Sequence, residues 1–179
     1  IYNYLTGVTD GETIGLPLTE KLSGVKLALQ NATEPQTLHF TDPESEFTFK
    51  GVVEPFAVIT DPQAEPLATL GGRLDVVVAR KNFPTHTAVY ATLPVNGTDV
   101  FRKLLRDAGC HVYNDRNDFT YVNSGIMLIH SLDGGQRTIR LRNGKELNLT
   151  LPEKSNTVLD ANTGEVLLKE IPKTYPKVK

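Results

Sequence analysis

The chain has one cysteine, Cys110, and His111 follows it directly within DVFRKLLRDAGCHVYNDRND, residues 99–118. A thiol beside an imidazole has the composition of a nucleophile and its base. Carboxylates gather at TDPESE, with Asp42, Glu44 and Glu46, and at DRND, with Asp115 and Asp118. Two acids held at the right separation hydrolyse glycosidic bonds, and clustered acids also bind Ca²⁺. His39, His86 and His130 stand alone in β-type segments, without i, i+4 or H-x-H spacing. Nothing in their pattern asks for a metal. Tyr90, Tyr113 and Tyr121 could stack sugars, although Trp is absent and tyrosine is favoured in sheets anyway.

The elements that carry these residues weaken the catalytic readings. Cys110 lies just past a predicted helix C-terminus, where the dipole is negative and opposes a thiolate. If 110–113 is a strand, Cys110 and His111 point to opposite faces. Cys110 then reads as a small buried hydrophobe. Both acid clusters fall in turn sequences, where Asp and Pro serve the backbone, and DRND lacks the Ca²⁺-loop pattern. The chain has no G-x-S-x-G elbow, P-loop, G-x-G-x-x-G or H-E-x-x-H. No catalytic, cofactor-binding or metal-ligating residue is assigned, and no cofactor is expected.

Periodicity places the elements. The first two dozen residues read as loop. GVKLALQNA alternates as a strand, QTLHF and SEFTFKGVV flank a turn at Pro43, and PFAVITD is a strand ending at Asp61-Pro62. EPLATL and RLDVVVARK flank Gly71-Gly72 as a hairpin, and HTAVYATLP is a further strand. One clear helix follows at about 98–108. Asn96 or Thr98 would cap it, Val100, Phe101, Leu104, Leu105 and Ala108 line its apolar face, and Gly109 would stop it. After that the chain is nearly all β. CHVY, FTYVN and GIMLIHSL are short strands. A hairpin turns at Asn143-Gly144, read as type I′, and another at Asn162-Thr163-Gly164. The tail PKTYPKVK reads as frayed.

These 179 residues hold 39% apolar and 22% charged side chains with a net charge of −2. That describes a globular chain and gives no basic face for nucleic acid. No apolar run reaches the length of a membrane span. One cysteine excludes an internal disulfide. Sequons occur at Asn31, Asn96 and Asn148, a frequency that chance supplies. A first residue Ile1 rather than Met suggests a fragment or processed product.

Three stretches together carry a resemblance: VITDPQAEPLATL, the run from DVVVARKNF to MLIHSLDGG, and TIRLRNGKELNLTLPEKSNTVLDANTGEVL. They resemble the C-terminal region of large bacterial β-galactosidase-like glycoside hydrolases of the family 42 type. The resemblance implies an α+β, mainly β chain: the end of a Rossmann-like α/β domain, followed by a small antiparallel β-sandwich. It implies a non-catalytic glutamine-amidotransferase-like segment over 1–114 and the sandwich over 115–179. The implied role is an accessory region that packs against the parent's catalytic barrel or sister subunits, with no nucleic-acid or membrane partner. Catalytic acids of that family lie in the barrel, so none is carried over. The alternatives are a stand-alone carbohydrate-binding β module, with carbohydrate as partner, and a small hydrolase using the acids above.

Overall fold

The computed structural model describes residues 15–170 apart from Pro55, Gly72 and Asn96. The expected cap and sequon at Asn96, the second glycine of Gly71-Gly72 and the basic tail therefore lie outside the described residues. The chain divides into two compact units, one ending at Val100 and the other beginning at Phe101. Neither described helix is long and apolar enough to cross a membrane.

In the first unit part of the expected opening loop is a helix, α1 (Leu16–Ser23). Proline is tolerated in its first turn, where the missing N–H has no intrahelical partner to lose. Gly24 ends it at φ +70°, and its N–H donates to Glu20 O at 2.8 Å. The Phe83 ring packs onto Gly24 so closely that a Cβ there would lie 2.5 Å from it.

Seven strands follow: β1 (Leu27–Gln30), β2 (Thr37–Thr41), β3 (Glu44–Thr48), β4 (Phe56–Ile59), β5 (Glu65–Leu70), β6 (Val76–Asn82) and β7 (Thr87–Ala91). They form one sheet in the order β1-β4-β6-β5-β2-β3, and β7 also pairs with β6. All four residues of β4 are buried, as are Val77, Val78 and Ala79 of β6. Continuous apolar runs in these strands are therefore covered on both faces. Every pairing is antiparallel. A Rossmann-like sheet is mostly parallel and needs long helical crossovers. The described strands have neither, because β2–β3, β5–β6 and β6–β7 are joined by short hairpin loops. The expected Rossmann-like end thus has no counterpart among them.

The helix α2 (Thr98–Asp107) falls where the apolar spacing places it. Its stop is a two-bond cap. Gly109 takes φ +74°, its N–H donates to Arg106 O at 2.9 Å, and Cys110 N–H donates to Leu105 O at 2.8 Å. Residues 110–113 have no regular secondary structure, so the expected strand does not form. Arg140 N–H donates to Tyr113 O at 2.9 Å, and Asn114 makes one isolated bridge to Ile139.

The second unit's sheet holds β8 (Phe119–Asn123), β9 (Ile126–Arg140), β10 (Glu146–Asp160) and β11 (Val166–Glu170), in the order β11-β10-β9-β8. All pairings are antiparallel. Segments expected as separate strands, GIMLIHSL and QRTIRLR, are one fifteen-residue strand. β9 and β10 keep a single register from Ile126↔Asp160 to Arg140↔Glu146.

This hairpin is not straight. Laid flat, Ile129 and Ile139 would stand about 33 Å apart, yet both belong to one core with Met127, Leu141, Leu151 and Leu159. The corner is Gly134-Gly135, with φ of 54° and 98°. A Cβ on Gly134 would come within 2.7 Å of Glu153 N, so the bend needs a glycine there. Folding back brings the hairpin tip to the β10–β11 turn. Asn143 Nδ2 donates to Asn162 O at 2.8 Å and Lys145 Nζ donates to Thr163 O at 2.6 Å. A small antiparallel sandwich results.

The turn types differ from the sequence reading. Asn143 is not at positive φ and Gly144 is, at 86°. With Gly144 N–H on Leu141 O at 3.0 Å and Leu141 N–H on Lys145 O at 2.9 Å, the connection is a three-residue loop: a type I turn followed by a glycine bulge. The two-residue turn with both φ positive is Ser124-Gly125, at 49° and 82°. The 162–164 turn sits where expected, and Asp160 Oδ1 accepts from Asn162 N–H and Thr163 N–H at 2.8 and 2.7 Å.

Candidate functional site

Cys110 is exposed, not buried as the sequence suggested. His111 Nε2–H donates to Arg140 O at 2.7 Å, and its ring meets Tyr113 edge-on at 4.4 Å. That bond anchors the imidazole to the Arg140 backbone, and no hydrogen bond joins it to the Cys110 thiol among the described residues.

The carboxylates are also engaged. His39 Nδ1–H donates to Glu46 Oε1 at 3.1 Å on the β2–β3 hairpin, with Asp42 and Glu44 at its turn. Asp115 is bound by Arg106 and Arg140. The Arg140 hydrogen bond holds the Asp115 carboxyl below the usual carboxylate range, and the charges of Arg106 and Arg102 add to this. Asp118 is buried, which pushes its carboxyl up. Hydrogen bonds from Arg137 and Asn114 outweigh that and hold it below the ordinary 3.8. A glycosidase acid needs the opposite shift. No group of three or more metal-type side chains is gathered among the described residues.

The tyrosines separate. Tyr90 is 3% exposed, and burial pushes its hydroxyl up to about 12, so it stacks nothing from solution. Tyr113 packs against the second unit's core. A cleft of about 430 Å³ lies beside it, lined by Arg102, Leu105, His111, Thr120 and Val122 among others. Tyr121 is 64% exposed.

Tyr121 belongs to an ordered surface. Alternation sends Met127, Ile129, Thr157 and Leu159 inward, so the intervening positions face out. Register aligns them in three rows across the strands: Phe119–His130–Asn156–Glu170, Tyr121–Leu128–Val158–Leu168, and Asn123–Ile126–Asp160. Phe119 is 54% exposed, Leu168 55% and Ile126 44%. The middle row is apolar from edge to edge, and each outer row ends in polar groups. His130 Nδ1–H donates to Asn156 Oδ1 at 2.7 Å, and Phe119 leans on His130 with centroids 6.1 Å apart. Sequence reading found Tyr121 but missed Phe119. The signal was there: in FTYVN both rings share the parity opposite to Val122, which packs inward.

No family model and no curated protein matches this chain. Among solved structures it is similar to a β-galactosidase from Bacillus circulans sp. alkalophilus, with a TM-score of 0.54 and 14% identity over 87% of this chain and 28% of that one. It is also similar to a β-galactosidase from Rahnella sp. R3, with a TM-score of 0.55 and 13% identity over 87% of this chain and 27% of that one. The chain thus spans just over a quarter of these neighbours' length, and the likeness is one of fold.

Proposed function

We propose that this chain is the C-terminal accessory region of a β-galactosidase-like glycoside hydrolase of the family 42 type. Residues 115–179 are the closing β-sandwich of that enzyme, and 1–114 belong to the domain that precedes it. It packs against the catalytic barrel or a sister subunit and contributes no catalytic residue. The observation that carries this reading is the coverage: the fold match takes in 87% of this chain but 28% of a β-galactosidase. The state of the acids supports it. Asp115 and Asp118 are held ionised by arginines, and neither can donate a proton near neutral pH.

The test compares two polypeptides on nitrophenyl β-D-galactoside. The 179-residue chain is expected to show no turnover, and a longer gene product bearing a barrel on its N-terminal side is expected to hydrolyse it. Turnover by the 179 residues alone, abolished by Asp115→Asn or Asp42→Asn, overturns the proposal.

A further inference from the structure

We infer that the outward face of the β8–β11 sheet is a docking platform for an extended, neutral oligosaccharide. The proposal goes beyond the accessory role and does not depend on it. Four features of the face select this ligand.

The first is the pair of rings. Phe119 and Tyr121 are two residues apart on one strand, so their side chains stand about 6.8 Å apart in line along it. Both are more than half exposed. An extended chain of pyranose rings running along β8 lays its C–H faces on both.

The second is hydrogen bonding. The His130–Asn156 bond uses Nδ1–H and Oδ1. It leaves His130 Nε2 as an acceptor and the Asn156 amide N–H₂ as a donor, side by side in the Phe119 row. A sugar hydroxyl is both donor and acceptor and satisfies such a pair.

The third is charge. The charged positions of the three rows, Asp160 and Glu170, are both acidic, and Asp160 Oδ1 is bound by the N–H groups of Asn162 and Thr163. No lysine or arginine stands in the rows, so an anionic polymer has nothing to pair with.

The fourth is size. The rows span about 14 Å along the strands and about 14 Å across four strands, a footprint of about 200 Å². A face of these dimensions takes a short oligosaccharide.

The experiment titrates the ¹⁵N-labelled 179-residue chain with cellohexaose, xylohexaose and a β-1,4-galacto-oligosaccharide, with an oligogalacturonate as the charged comparison. At least one neutral probe should shift amides of 119–130 and 156–160 saturably, and the charged one should bind more weakly. Phe119→Ala and Tyr121→Ala, both at exposed positions, should each weaken binding at least about tenfold, one ring's worth of contact, with the remaining spectrum unchanged. Absence of saturable shifts with all three neutral probes overturns the inference. So does binding that survives both substitutions, or a Tyr121-dependent dimer on sizing without glycan binding.

Discussion

Arg137 grips Asp118 with two parallel hydrogen bonds, Nε to Oδ2 at 2.6 Å and Nη2 to Oδ1 at 2.9 Å, and the two side chains are only 2% and 3% exposed. The remaining polar atoms are served locally. Arg137 Nη1–H donates to Gly134 O at 2.8 Å, Nη2–H also reaches Ser131 Oγ at 3.1 Å, and Asn114 Nδ2–H donates to Asp118 Oδ2 at 2.8 Å. The pair therefore ties the acidic turn after α2 to the corner of the long hairpin. A buried pair of this kind is costly to break and cheap to replace, since removing one partner strands a desolvated charge.

Arg137→Met alone should lower the unfolding free energy by about 3–5 kcal/mol. The double variant Asp118→Leu/Arg137→Met should recover most of that loss. Urea unfolding followed by circular dichroism reads both, and a double variant no better than the single one would contradict the assignment.

Acid should act through the same carboxyl. Burial pushes Asp118 up, but Arg137 and Asn114 more than offset it, so its folded pKa lies below the ordinary 3.8. Asp61 behaves likewise: burial raises it, and hydrogen bonds from Lys81, Gln63 N–H and Lys26 N–H bring it lower. A depressed folded pKa contributes stability that is present above the unfolded value and lost as pH falls through the folded one. Stability should hold from pH 7 to about 5 and fall below about 4. Asp118→Asn should flatten that fall, and an unchanged acid slope in this variant would show that Asp118 is not linked to it.

Thr157 faces inward beside Ile129 and is 1% exposed, and its Oγ1 has no hydrogen-bond partner. Thr157→Val keeps the shape and removes the stranded hydroxyl. It should raise stability by about 1 kcal/mol, visible as a higher thermal midpoint; a lower midpoint would mean that the hydroxyl is bonded after all.

Cys110 should titrate as one thiol per chain with a disulfide reagent in native buffer, without denaturant. Because its side chain is exposed and its contribution to the cap is a backbone N–H, Cys110→Ala should change stability by less than about 0.5 kcal/mol. A thiol that reacts only after unfolding would place the side chain inside.

What could be read from the sequence was local. The stop at Gly109 and the turn at 162–164 are set by residues within a few positions, and the structure has them where the pattern puts them. Position 143–144 was legible as a turn but not as a type. Asn-Gly suits type I′, yet the three-residue loop with a glycine bulge accommodates the same dipeptide. The fusion of two expected strands into β9 was hidden because Asp133-Gly134-Gly135 looks like a turn, and only pairing with Leu151–Glu153 keeps it in the ladder. Helix α1 is two turns long, too short for periodicity to declare. The outward face was half visible. Alternation tells which residues share a side of one strand, but joining Tyr121 to Leu128, Val158 and Leu168 needs the register of three pairings.

The fold-back of the long hairpin has a kinetic meaning. Pairs next to the 142–144 turn are close in sequence and can zip early, since short loops close fastest. Contacts between the tip and the 162–164 turn, such as Leu147 against Gly164, exist only once the corner at Gly134 has bent. We predict that they are absent from the folding nucleus and act mainly as a latch against opening. Leu147→Ala should then accelerate unfolding in stopped-flow experiments and leave refolding nearly unchanged, and a proportionate slowing of refolding would place the latch in the nucleus. Lifetime of the native state, more than speed of reaching it, is what the bend supplies.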